Sequence, residues 1–292
     1  MNAQNESFYA KLDSIETLRK LSKSSNLDIE LRLIHAKNAS LLSEELGEDS
    51  TKLKSNINLS FRYLDVDKYE PYRDINHKNL KLASLLKDSV AIGSINFSLG
   101  WYHSVESQND SAYYYYYNAE KIYHALNEVR NEGEALLNIA SIQEGYKDYV
   151  GSDYSAVRAI SLIESLPEND HNLDTLWSLY NLLGVISNRL EQFDEAIENF
   201  NKCAEIANKM SNPLHYYFLS RNNMAFSYGQ NGDLEKALAI YPEIINDNRL
   251  FKLDPELYVL VLGNIAHTRY LINDDDIDGI DKQFKAAYQL SD

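Results

Sequence analysis

The amino-acid sequence predicts an all-α solenoid built from antiparallel helical hairpins, and three observations carry that prediction. A short residue pattern recurs at intervals of 40 to 44 residues. Hydrophobic alternation at period two is scarce. Eleven glycines and five prolines are too few for a strand-and-turn architecture. The pattern is clearest around Gly184: Phe193 follows nine residues later, Ala196 twelve, Phe200 sixteen and Cys203 nineteen. Shifted by 41 it reads Ala225, Leu234, Ala237, Tyr241, Ile244, and around Gly100 it reads Ala112, Tyr116, Ala119. Further small residues at Ser60, Ala140 and Ala266 complete the intervals 40, 40, 44, 41 and 41. Such a period is that of a helical solenoid, which binds along a surface more often than it carries chemistry.

Taken in order, residues 1–9 are polar and predict a frayed or disordered start, and residues 10–22 can form a short helix. Leu27 to Leu46 reads as a longer one, with Asn26 as its cap and Gly47 ending it. Together 10–48 make a degenerate N-terminal hairpin. About six hairpins follow over 50–290: 50–66 with 69–86, 90–106 with 109–128, 131–148 with 153–166, 172–190 with 193–210, 213–231 with 233–248, and 255–272 with 276–290. Asp110 or Ser111 can cap the helix holding Ala112. Asn212-Pro213 and Asp254-Pro255 each place a cap before a proline at the first helical position. Gly232 marks a turn, and Pro242 predicts a local kink within a second helix. The segment Tyr149 to Tyr154 suggests about four extra residues in the turn before Ala156. Because stacked hairpins bury a continuous core, residues 1–292 are expected to form one elongated body.

The best copy of the pattern, Tyr180-x-x-Leu183-Gly184 followed by Phe193-x-x-Ala196-x-x-x-Phe200-x-x-Cys203, is similar to the tetratricopeptide repeat. There the first helix carries a Leu-Gly or Leu-Ala pair where its neighbour approaches closely, and the second carries the alanine and aromatic that lock beside it. The resemblance covers roughly residues 25 to 290. It implies right-handed superhelical stacking and an inner, concave wall formed by the first helices. Tyr180 stands where the family often has tryptophan, and Ser187 replaces the usual aromatic.

Composition narrows the function. A net charge of −16, from 28 basic and 44 acidic residues, argues against nucleic-acid binding by this segment. No run of eighteen apolar residues exists that would insert into a membrane. Cys203 is the only cysteine, at a small-residue packing position, and reads as a buried inert thiol. The seven histidines form no metal-binding pair, so neither metal nor cofactor is expected. His103 could pair with Glu106, one turn away. Asp274-Asp275-Asp276 lacks the glycine and distal glutamate of a calcium loop and reads as acidic helix capping. Nothing announces an enzyme: no nucleophile–base or acid-pair spacing is present.

By the geometry that the resemblance implies, residues three before, one after and four after the Gly184 position face the inner wall. The candidate binding residues are Asn181, Val185 and Asn188, Asn222 and Phe226, Ser141 and Glu144, His267 and Tyr270, and Trp101. Stacked asparagines can clamp the backbone of an extended peptide, or they can close local hydrogen bonds. In the run Tyr113 to Tyr117, Tyr116 is expected in the core, Tyr113 and Tyr117 near the adjoining groove, and Tyr114 and Tyr115 elsewhere, partly exposed. With Trp101 and Tyr102 they form a candidate contact patch for a partner or a second copy of the chain.

A finer resemblance rests on Asp88 to Ile92, Leu99-Gly100-Trp101-Tyr102, Asp110 to Tyr114, and Pro255 to Tyr258 through Asn264 to Ala266. These segments resemble the repeat sensor region of Bacteroidetes signalling proteins with a helix-turn-helix or histidine kinase output. That resemblance implies a non-enzymatic protein- or peptide-binding sensor region within a longer membrane-anchored parent. The start Met1-Asn2-Ala3-Gln4-Asn5 looks like the residues after a cleavage site, which places the chain on the periplasmic side. The alternative is a free-standing cytoplasmic adaptor that assembles two proteins.

Overall fold

A computed structural model describes residues 3–272 together with Asp278, Gly279, Asp281, Lys282 and Lys285. Regular structure among them is helical throughout. The chain divides into two compact units, Met1–Ala135 and Leu136–Asp292. In a solenoid each repeat touches only its neighbours, so the period alone gives no reason for one compact unit rather than two.

The first unit holds α1 (Ala3–Ser22), α2 (Ile29–Leu46), α3 (Asp49–Leu64), α4 (Tyr69–Leu86), α5 (Ser89–Val105) and α6 (Asn109–Leu126). The boundary falls inside α7 (Val129–Gly145). The second unit continues with α8 (Tyr149–Glu164), α9 (Asp170–Arg189), α10 (Phe193–Ala207), α11 (Leu214–Gln230), α12 (Leu234–Ile245), α13 (Leu250–Leu253) and α14 (Pro255–Leu271). The fold is an all-α solenoid of antiparallel helical hairpins of the tetratricopeptide type.

The repeat has a physical cause. Ser60, Gly100, Ala140, Gly184, Ala225 and Ala266 are all buried. A Cβ on Gly184 would lie 2.6 Å from the Phe200 ring, and one on Gly100 would lie 2.8 Å from the Tyr116 ring. The small residue thus exists so that the aromatic sixteen residues later can lie flat on the backbone of the facing helix. Alanines 112, 196 and 237, and the position-nineteen residues Ala119, Cys203 and Ile244, are wholly buried beside it.

The turns keep the same phase. Seven residues after each of the first five small residues the backbone turns left-handed, at Asp67, Ser107, Lys147, Glu191 and Gly232. In each case the next N–H donates back across the turn, as in Lys68 to Tyr63 O (2.9 Å), Gln192 to Ser187 O (2.8 Å) and Asp233 to Tyr228 O (2.9 Å). This bond closes the end of the first helix without help from any side chain. Only Gly232 is a residue that takes such a φ freely.

Several boundaries differ from those expected. Helix α1 begins at Ala3, so residues 3–9 are helical; Ile15 anchors this helix in the core. Asp28, not Asn26, caps α2 by accepting from Glu30 N–H. Helix α6 starts at Asn109 with no side-chain cap, and α11 starts at Leu214 after Pro213, which offers none either. Asp254 does cap α14, at 2.9 Å from Leu257 N. Helix α12 runs unbroken through Pro242. The short α13 was unforeseen, and it inserts Leu250 into the core.

The four extra residues of the third interval lie elsewhere than expected. Ser152 takes the alanine position, fully buried, and its hydroxyl donates to Ala140 O at 2.7 Å. The α7–α8 turn is therefore of ordinary length. The added residues fall after α8, in the connection 165–169 and an additional turn at the start of α9. The expected helix 276–290 and the Asp274-Asp275-Asp276 capping run lie outside the described residues, apart from isolated positions.

Candidate functional site

The second unit presents a cleft of about 370 Å³ between the first helices α9 and α11. Phe200 of α10 forms its floor, Val185 and Phe226 its apolar walls, and Asn188, Arg189, Asn223 and Gln230 its polar rim. It opens here because Gly184 draws Phe200 inward, which leaves space above the ring beside Val185. Phe226 stays 41% exposed, an aromatic offered to solvent. The Oδ1 atom of Asn188 is buried without a hydrogen-bond partner. An unpaired acceptor beside two apolar side chains is suited to receive a backbone N–H from an extended chain.

The other asparagines behave differently. Asn223 Nδ2 donates to Asn181 Oδ1 and Asn264 Nδ2 donates to Asn222 Oδ1, both at 2.9 Å and both across 42 residues. Asn222 Nδ2 reaches Asn223 Oδ1 at 3.3 Å. The four amides form a ladder across α9, α11 and α14. Asn222 is only 2% exposed, so its amide is engaged inside the stack rather than displayed on its wall. Sequence offsets had singled out Asn181 and Asn222 but missed their partners, Asn223 and Asn264, which stand one position later in their repeats. The doublet Asn222-Asn223 was the available signal.

The remaining candidates are scattered. Glu144 reaches the rim, with Arg189 Nε 3.7 Å from its carboxylate. His267 shares a shallow crevice with Phe226, Gly229 and Asn264. Tyr270 is exposed, and Ser141 is exposed with its hydroxyl turned back to Leu137 O. Trp101 belongs to the first unit, where its ring packs 5.9 Å from Tyr69 and 5.8 Å from Tyr72. Arg189 and Gln230, each five residues after the small position, were not foreseen.

The tyrosine run also needs correction. Tyr116 enters the core as expected, but the exposed members are Tyr114 and Tyr117. Tyr115 instead stacks on His103 at 5.2 Å with planes 6° apart. Tyr102 is buried and cannot join a patch. His103 bonds Gln108 at 2.6 Å, not Glu106. The Cys203 thiol is buried, donates to Trp177 O at 3.5 Å, and is pushed up in pKa by burial.

Among the described residues no three His, Cys, Asp or Glu side chains converge as a metal site, and no helix is long and apolar enough to cross a membrane. The chain carries a tetratricopeptide-repeat domain structurally similar to signalling proteins that contain such repeats, and the family profile for the tetratricopeptide repeat matches residues 174–247. No curated protein matches. The solved Signal Transduction ATPase with Numerous Domains from Pyrococcus horikoshii, which has a tetratricopeptide repeat sensor, is similar at 18% identity and a TM-score of 0.72. That match covers 98% of this chain and 42% of the Pyrococcus protein, so the chain spans less than half of its length. The apo form of RapI is similar at 15% identity and a TM-score of 0.70, covering 97% of this chain and 76% of that one. BtubC from P. vanneervenii is similar at 17% identity and a TM-score of 0.58, covering 84% and 90%. At these identities the likeness is one of fold.

Proposed function

We propose that this chain is the protein- or peptide-binding sensor region of a signal-transduction or transcription-regulatory protein, on the periplasmic side of a membrane-anchored parent. The observation that carries the reading is the cleft between α9 and α11. It combines an exposed aromatic, an apolar floor and the unpaired Asn188 acceptor on two consecutive first helices. Extended concave surfaces are how solenoids bind partners, and the Pyrococcus protein with its repeat sensor supports a sensing role by analogy. The compartment follows the resemblance of the repeat segments to the sensor region of membrane-anchored signalling proteins.

The binding site can be tested without knowing the natural partner. A random-peptide display selection against the purified chain supplies a probe, and calorimetry then compares Asn188→Ala and Phe226→Ala with the parent. Removing the Asn188 hydrogen bond or the Phe226 ring should each weaken binding by about 1–3 kcal/mol. Asn181 and Asn222 are poor test sites, because their loss would also break the ladder. If selected peptides bind both variants with unchanged affinity, the cleft is not the site, and Trp101 with the exposed Tyr114 and Tyr117 becomes the next surface to examine.

A further inference from the structure

The residues that lengthen the third interval build something of their own. The connection 165–169 and the first turns of α9 wall a second cleft of about 380 Å³, with Ile206 and Lys202 of α10 opposite. That volume is within the range of small-molecule sites, about 300–1,000 Å³. Its lining is apolar at Ile163, Leu166, Leu173 and Leu176.

The polar groups at this cleft are unequally satisfied. Lys209 pairs with Glu168 at 2.5 Å. Tyr180 donates to Glu164 at 2.9 Å, and burial together with that bond pushes its phenol up to about 12. Lys202 lies over the Tyr180 ring, 4.9 Å from its centroid. Glu205 accepts from the Asn201 amide at 2.8 Å. With three carboxylates against two ammonium groups, the rim keeps a negative excess. Deeper in, Asn172 is 2% exposed; its Nδ2 donates to Pro167 O at 2.8 Å while Oδ1 has no partner. A buried acceptor without a donor is destabilising, and a ligand N–H placed there would relieve it.

We infer that this cleft binds a small arylalkylamine: an apolar ring bearing an N–H for Asn172 Oδ1, with an ammonium arm for Glu164 and Glu205. Charge complementarity at the rim and the orphaned acceptor below it both call for a donor, and the apolar lining calls for the ring. The site is separate from the α9–α11 cleft and stands whether or not that cleft binds peptide.

Tryptamine is the probe, followed by backbone amide shifts in a heteronuclear NMR titration of the full chain. Saturable shifts confined to residues 163–180 and 202–209 are expected. Indole-3-propionate, which swaps ammonium for carboxylate, should bind at least about tenfold more weakly, a difference of 1.4 kcal/mol. 1-Methyltryptamine, lacking the ring N–H, should also lose affinity. The double variant Glu164→Gln/Glu205→Gln changes only exposed groups and should fold normally by circular dichroism while losing about tenfold in affinity. Absence of saturable shifts, equal binding by the carboxylate or by the methylated amine, or full affinity in the double variant would each overturn the proposal.

Discussion

The hairpins α3–α4 and α9–α10 share one register and fill it with opposite chemistry. In α9–α10, Gly184 lies under Phe200, with Ala196 and Cys203 alongside, all buried and apolar. In α3–α4 the same positions hold Ser60, Asn76, Tyr72 and Asn79, and these too are buried. Asn79 has no partner for either amide atom, and Asn76 Nδ2 and Ser55 Oγ are likewise unpaired. The repeat therefore specifies shape before polarity. A side chain that fits the groove is accepted even when it brings in an amide, and the stack absorbs the cost locally.

The comparison can be broken most sharply at Phe200. Phe200→Ala should cost about 3–5 kcal/mol in a denaturant series, since the ring fills the whole space over Gly184. Gly184→Leu should cost about 1–3 kcal/mol by overpacking, and Phe200→Leu in the same chain should return part of it. Strict additivity of the two changes would mean that they do not press on each other. At the polar hairpin the sign reverses. Asn79→Ala, which installs the residue found at 119 and 159, should stabilise by about 1 kcal/mol, because an unpaired buried amide is removed at the expense of a small void. A loss in the same thermal or denaturant measurement would show that water already satisfies that amide. The smallest effect tests openness: Gly263 has nothing within 4 Å of its virtual Cβ, and Gly263→Ala in mid-helix should stabilise by up to about 1 kcal/mol.

How far the sequence could be read follows from the same contrast. The phase was legible because close approach demands a small residue, and six of them stand in step. The position of the third interval's extra residues was not, because Ser152 replaced the alanine that marks the second helix and its hydroxyl found Ala140 O. The ladder was half legible. Offsets identify which asparagines share a face, but the 42-residue pairings of Asn181 with Asn223 and Asn222 with Asn264 depend on how neighbouring hairpins abut. Tyr115 and Tyr117 exchanged their expected roles for a similar reason: the partner that covers Tyr115 is His103, on the facing helix. The cleft's Arg189 and Gln230 sit in the last turn of their helices, where side-chain direction follows the turn more than the helical period.

The connections between hairpins also set how the chain meets a protease. The first unit uses two-residue links at 47–48, 87–88 and 127–128, with left-handed Gly47, Lys87 and Asn127. The second unit uses more chain, at 165–169, 208–213 and 246–249. A protease must draw several residues into an extended strand, and a two-residue link can supply them only by unravelling the helices on either side. Lys87 is thus a tryptic site guarded by helix ends, whereas Lys209 and Arg249 sit in the longer links. Among these links between hairpins, native-state digestion should cut at Lys209 or Arg249 before Lys87.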